Sequence, residues 1–111
     1  MATIADRHYE RVPFSVDLEV QRVADGKSFA ARSIELSRDG IEFFARKFIA
    51  SGAAIRLVFL LKQDGQTQPV VLNATVREAR MEAGGVVMSA QFEAVLSRTA
   101  QPLLCERLDR K

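Results

Sequence analysis

Residues 14–21 read Phe-Ser-Val-Asp-Leu-Glu-Val-Gln and alternate strictly between apolar and polar side chains. Successive side chains of a β-strand point to opposite faces, so this period of two predicts a strand with one face in a core and one in water. Residues 86–93 follow the same period. The two segments together predict a sheet that is apolar on one face only.

Dipeptides that favour turns separate the apolar segments of the chain: Asp25-Gly26, Asp39-Gly40, Asp64-Gly65 and Gly84-Gly85. Their glycines accept the positive φ angles that tight hairpins need. Between the turns the sequence predicts six strands, at residues 14–21, 28–36, 41–45, 54–62, 70–80 and 86–93. The fourth of these is apolar on nearly both faces, which predicts a central and largely buried strand. We therefore predict an all-β fold, a six-stranded antiparallel β-barrel.

The two ends of the chain lack a strand pattern. Residues 100–109 place leucines at helical offsets, which predicts a C-terminal α-helix that covers an end or flank of the barrel. Thr99 is the expected N-cap, and Pro102 is tolerated in the first turn. Residues 1–12 carry mixed charge without an apolar period, so we expect a flexible N-terminal arm before one barrel-plus-helix domain at residues 13–111.

Composition excludes several classes of function. The 111 residues carry a formal charge of only +2, which is weak for a protein that coats duplex nucleic acid. The single His8 and single Cys105 form neither a metal cluster nor a nucleophile–base pair, so we expect no enzyme and no metal site. The longest apolar run, Leu57–Leu61, is far too short to span a bilayer, and no secretory signal is visible. We expect a cytoplasmic protein without membrane insertion.

Two polar motifs remain after these exclusions. Arg7 and Arg11 lie four positions apart, so both guanidinium groups project from one side of a helical turn, or hold a ligand from two directions if the segment is irregular. The second motif runs from Glu35 to Gly40 at the end of a predicted strand. Glu35 and Ser37 share a face there, and Gly40 permits a tight turn and the close approach of a ligand to the backbone.

An Arg-x-x-x-Arg arm followed by an acidic-x-Ser-x-x-Gly turn resembles the signature of the PilZ family. The resemblance extends from Arg7 to the closing helix, and the six-stranded barrel with a C-terminal helix that it implies agrees with the elements predicted above. It implies binding of cyclic di-GMP, a bacterial second messenger, with no cofactor. Glu35 stands where the family usually has Asp or Asn, which keeps a carboxylate acceptor and adds one methylene.

The resemblance also implies roles for individual side chains. Arg7 and Arg11 would clamp guanine and phosphate, since an arginine fork matches guanine O6 and N7 and also grips phosphate. Glu35 would accept hydrogen bonds from guanine N1–H and N2–H₂, with Ser37 beside it. Arg38, between Ser37 and Gly40, is a further candidate for a phosphate contact, with solvated surface as the alternative. Arg77 and Arg80, near the end of the fifth predicted strand, are weaker candidates for the same pocket wall.

Three functions follow as alternatives. The first is a cyclic di-GMP receptor whose captured arm presents a new surface to an unidentified protein effector, in motility or biofilm machinery. The second is a degenerate PilZ module that contacts proteins without binding nucleotide. The third is a barrel for single-stranded nucleic acid, which needs exposed aromatic side chains in a basic groove. Phe14, Phe59 and Phe92 are predicted core residues and only Tyr9 is free to stack, so we expect no DNA or RNA partner.

Overall fold

A computed structural model describes residues 9–109, apart from the side chain of Gln63. Arg7 and most of the predicted arm lie outside these residues. The described chain forms strands and a helix in the order β1 (Val12–Pro13), β2 (Asp17–Arg22), β3 (Ser28–Leu36), β4 (Gly40–Ala45), β5 (Ala54–Gln63), β6 (Gln66–Glu82), β7 (Gly85–Phe92) and α1 (Pro102–Asp109).

Six of the strands close into an antiparallel barrel. Around the barrel the order is β2, β3, β4, β7, β6 and β5, and β5 pairs again with β2. β1 adds a two-residue antiparallel ladder at the C-terminal end of β3, with Val12 opposite Leu36 and Pro13 opposite Glu35. The predicted six-stranded antiparallel barrel with a C-terminal helix is confirmed.

The barrel interior is filled by the apolar faces that the sequence period predicted. Phe43 and Phe59 are the largest fully buried side chains, and Phe14 and Phe92 are buried as well. The Phe14 and Phe59 rings lie 6.1 Å apart, tilted by 52°, a common arrangement for aromatic pairs. The prediction that Phe14, Phe59 and Phe92 belong to the core is confirmed.

The predicted start of the first strand, at residue 14, is wrong, because the regular pairing of β2 with β3 begins only at Asp17. Before it, the hydroxyl of Ser33 replaces a backbone partner: Val16 N–H donates to Ser33 Oγ at 2.8 Å, and Ser33 Oγ donates to the Phe14 carbonyl at 2.5 Å. Ser33 is only 2% exposed. Backbone hydrogen bonds still join this segment to β3, from Phe14 N–H to the Ile34 carbonyl and from Ser33 N–H to the Val16 carbonyl, both at 2.9 Å. The register against β3 shifts by one residue between β1 and β2, and a sequence period does not reveal such a shift.

β6 is longer than predicted, because the preceding turn is tighter than expected. Asp64 and Gly65 both have positive φ, at 54° and 78°, as a two-residue type I′ hairpin requires. β6 therefore starts at Gln66, and Pro69 lies within it opposite Leu60. The prediction that the fourth predicted strand is largely buried is wrong, since the outer face of β5 meets water and Leu60 is 63% exposed.

The helix packs on the barrel as predicted, with Leu104, Cys105 and Leu108 buried in the core cluster. Thr99 is not its N-cap, because α1 begins at Pro102, whose missing N–H costs nothing at the first helical position. Within residues 9–109, no helix is long and apolar enough to cross a membrane.

Candidate functional site

A cavity of about 370 Å³ lies on the outer barrel wall, where β3 ends and β4 begins. Ile41, Phe43 and Ala45 point into the core, so Glu42 between them points outward. Strand pairing places Glu35, Glu42, Ser89 and Glu78 in one row across β3, β4, β7 and β6. This row and the turn after β3 form the floor and rim of the cavity.

The turn between β3 and β4 is held by its own side chains and by β7. Ser37 N–H donates to the Gly40 carbonyl at 2.9 Å, and Ser37 Oγ donates to Asp39 Oδ1 at 2.7 Å. The Asp39 carbonyl accepts from Phe92 N–H at 2.9 Å. Ser37 is buried and its hydroxyl hydrogen is already used, so its lone pairs are what it offers to a ligand.

Glycine is needed at position 40 because a backbone atom of β7 lies very close, and not because the backbone has a positive φ. Its φ is not positive, in contrast with Gly26, Gly65 and Gly84, so the expectation of a positive φ at Asp39-Gly40 is wrong. A Cβ at this position would lie 2.6 Å from the Ala90 carbonyl oxygen. The absent side chain lets β4 approach β7 at the rim of the cavity.

Arg11 lies beside Glu35 because β1 ties the base of the arm to β3. With Pro13 opposite Glu35 in the ladder, the chain just before β1 runs along the cavity rim. Arg11 Nη1 is 4.0 Å from Glu35 Oε1, and both side chains are exposed. Such an exposed ion pair contributes little stability, so Arg11 remains available to a ligand.

Arg38 points away from the cavity, towards the helix. Its Nη1 donates to the Leu96 carbonyl at 3.4 Å and to Cys105 Sγ at 3.5 Å, and its Nη2 lies 3.5 Å from Asp109 Oδ1. The structure thus brings Arg11, Glu35, Ser37 and Gly40 to one cavity and directs Arg38 elsewhere.

The opposite wall of the cavity contains Arg77, which the sequence made only a weak candidate. A register shift between Val76 and Glu78 makes Arg77 an extra residue in β6, and such bulges redirect side chains. Its Nε donates to Gln91 Oε1 at 2.9 Å, and both side chains line the cavity. The adjacent polar residues Arg77 and Glu78 break the strand period, and this was the signal for the bulge.

Arg80, the other weak candidate, does not line the cavity. It donates to Glu82 Oε2 at 2.8 Å, and this hydrogen bond raises the pKa of its guanidinium.

The family assignment follows from these residues together with the whole-chain pattern. The sequence model of the PilZ domain matches residues 5–106, which include the arm motif, the turn motif and every strand of the barrel. The chain belongs to the PilZ domain family.

Solved structures agree on the fold of this PilZ domain. The inhibitor of motility MotI (DgrA) from Bacillus subtilis matches with a TM-score of 0.73 and 20% identity over 97% of this chain. This chain spans only 54% of MotI. The PilZ domain of CeSA from a cellulose-synthesizing bacterium matches with a TM-score of 0.64 at 14% identity, covering 90% of this chain and 95% of that one.

A third solved structure is the PilZ domain of YcgR from Escherichia coli with c-di-GMP. It matches with a TM-score of 0.63 and 14% identity, covering 96% of this chain and all of that one. No curated protein sequence matches this chain.

The cavity of this PilZ domain carries more carboxylates than cations among the described residues. Glu35, Asp39, Glu42 and Glu78 line it, against the guanidinium groups of Arg11 and Arg77. Carboxylates accept hydrogen bonds and donate none. The wall therefore suits a ligand that presents N–H donors to the barrel and leaves its own anionic groups to arginine.

Proposed function

We propose that this PilZ domain binds cyclic di-GMP on the outer barrel wall. Arg11, Glu35, Ser37 and Gly40 would form the part of the site that lies on the described chain, and Arg7 would add the second guanidinium of the arm. The observation that carries the proposal is that these four residues, from two separate motifs, line one cavity. Its volume of about 370 Å³ is within the range of small-molecule sites.

The chemistry of the ligand fits the distribution of groups in the cavity. Guanine offers donors at N1 and N2, which Glu35 and the lone pairs of Ser37 would accept. Guanine O6 and N7 are adjacent acceptors that an arginine fork meets with two parallel hydrogen bonds. The two phosphates would take the remaining donors of Arg7 and Arg11, because guanidinium groups bind phosphate in a forked geometry.

Arg38 would join this site only after its side chain leaves Leu96, Cys105 and Asp109. We therefore assign it a smaller share of the binding energy than Arg11, which already lines the cavity.

The proposed output is contact with a protein effector. In this proposal the arm closes over the bound nucleotide, and the ordering of a segment by a charged ligand is a common switching device. The surface of the captured arm would then differ from that of the free arm. The solved structures of the YcgR PilZ domain with c-di-GMP and of the Klebsiella pneumoniae MrkH–c-di-GMP complex, which share this fold, support the proposal.

Isothermal titration with cyclic di-GMP tests the proposal. We expect the wild type to bind at micromolar or tighter Kd. Arg11→Ala should weaken binding by at least tenfold, since a hydrogen bond to a charged group contributes about 1.5–3 kcal/mol. Arg56→Ala is the matched control. Arg56 of β5 donates a hydrogen bond to Gln21 of the neighbouring strand β2, and it does not line the cavity. Equal Kd values for wild type and Arg11→Ala would refute the assignment.

A second function, protein contact without nucleotide, is favoured by one observation. The excess of carboxylates over arginines in the cavity repels a dianion unless Arg7, Arg11 and Arg77 compensate for it. Absence of heat with a large excess of cyclic di-GMP would select this alternative.

A further inference from the structure

A group of exposed side chains at one end of the barrel lies apart from the cavity. Arg46, Lys47 and Phe48 directly follow β4, and Met81 lies near the end of β6. Ala45, the last residue of β4, pairs with Val86 of β7, and Val86 pairs with Met81. All four side chains are therefore at the same barrel end, and we name them the basal patch.

The apolar members of the basal patch are exposed to solvent. Phe48 is 56% and Met81 is 72% exposed, although the next residue after Phe48, Ile49, is completely buried. The segment beyond Ile49 is fixed to β6, since Gly52 N–H donates to the Val76 carbonyl at 2.7 Å and Val76 N–H donates to the Ala53 carbonyl at 3.0 Å. Phe48 is thus presented to solvent by an anchored segment.

The cations of the basal patch also lack partners within the described chain. No carboxylate of residues 9–109 lies within 4.0 Å of Arg46 or Lys47, whereas Arg80, near the same end of the barrel, is paired with Glu82. The carboxylates of the cavity are displayed at the other end of β4. The base therefore carries the Arg80–Glu82 ion pair and, among the described residues, two cations without a carboxylate partner that lie close to exposed apolar groups.

We propose that the basal patch binds a protein partner whose surface carries carboxylates around an apolar pocket. Phe, Met and Arg are enriched in the cores of protein interfaces, and complementary charges around them speed and orient association. An anionic membrane is a poorer fit, because lipid-binding clusters contain about four to eight cations and the basal patch contains two.

Site-specific photo-crosslinking in the native host cell tests this proposal. With p-benzoyl-phenylalanine in place of Phe48, we expect one predominant protein adduct, and mapping should place the link beside Asp or Glu residues of the partner. The same probe in place of Leu60, an equally exposed residue on the outer face of β5, should not give this adduct. Arg46→Glu combined with Lys47→Glu should remove the adduct, and Lys62→Glu should retain it.

The proposal is overturned if position 48 gives no adduct beyond that of position 60, or if the charge reversals leave the adduct unchanged. A link to a surface without carboxylates, or salt-sensitive binding of the purified protein to vesicles with 30% phosphatidylserine, would overturn it as well. Cyclic di-GMP titration and thermal unfolding of the charge-reversal variant separate this outcome from loss of the nucleotide site or of the fold. Both measurements should match the wild type.

Discussion

Replacing Gly40 by alanine tests why the turn motif ends in glycine. The added Cβ would lie 2.6 Å from the Ala90 carbonyl oxygen, whereas ordinary contacts of this kind begin near 3.4 Å. The opposing atom belongs to the backbone, so β4 and β7 must separate at the pair Gly40–Gln91. Forcing an extra methyl into a packed site costs about 1–3 kcal/mol. For a domain of this size, each kcal/mol lowers Tm by roughly 4–8 °C.

Thermal unfolding followed by circular dichroism measures this loss, and Gly65 supplies the control. Gly65 needs its positive φ of 78° and has open space around it, so Gly65→Asn should recover much of the stability that Gly65→Ala loses. Gly40→Asn should recover none relative to Gly40→Ala, because the obstacle is steric. A Tm of Gly40→Ala within about 2 °C of the wild type would refute the close approach of β4 and β7.

Three further predictions concern contacts outside the cavity. Ser33→Ala should destabilise the fold by about 1–3 kcal/mol in urea unfolding, because Val16 N–H loses its acceptor in a partly buried place. Arg38→Ala should lower stability by about 1 kcal/mol, since its ties to the helix segment are partly exposed, and should change the Kd for cyclic di-GMP less than Arg11→Ala does. The hydrogen bond from Arg22 lowers the pKa of Asp25 from 3.8 to about 2, so its stabilising contribution is present above pH 3.8 and is lost as the pH falls through 2. The stability difference between wild type and Asp25→Asn should therefore shrink over that interval.

The exposed Ser15 and Arg46 provide controls for the first two of these variants. Ser15→Ala should leave the free energy of unfolding nearly unchanged, and a similar result for Ser33→Ala would contradict the role assigned to its hydroxyl. If Arg38→Ala destabilised the fold no more than Arg46→Ala, the contacts of Arg38 with the helix segment would contribute nothing to stability. A stability difference for Asp25→Asn that stays constant down to pH 2 would contradict the depressed pKa.

The barrel could be predicted from local sequence patterns, because residues close together in the sequence determine which face of a strand is apolar and where a turn forms. The alternation in residues 14–21 and 86–93 and the glycine-containing turns were enough to predict six strands and their antiparallel order. One error arose where the backbone departs from regular pairing. At Phe14–Val16 the register against β3 shifts by one residue and the Ser33 hydroxyl accepts from Val16 N–H, which no residue nearby in the sequence signals.

The candidate site was predictable in part for the same reason. Arg11, Glu35, Ser37 and Gly40 meet at one cavity because the β1 ladder joins two motifs that the sequence already displayed. The direction of Arg38 depends on the helix that packs beside it, so its neighbours in sequence do not predict it. Glu42 and Ser89 line the cavity only because the pairing of β4 with β7 places them there, and the sequence motifs do not include them.

The most direct test of the account is the amide spectrum of the ¹⁵N-labelled protein titrated with cyclic di-GMP. We predict that the amides of Arg11, Glu35 and Ser37–Gly40 shift in proportion to bound nucleotide, together with Arg77 on the opposite wall, while those of Phe48 and Leu60 stay in place. Unchanged amides at Glu35 and Ser37–Gly40 with the nucleotide in large excess would contradict the central claim that the outer wall of this PilZ domain is a cyclic di-GMP site.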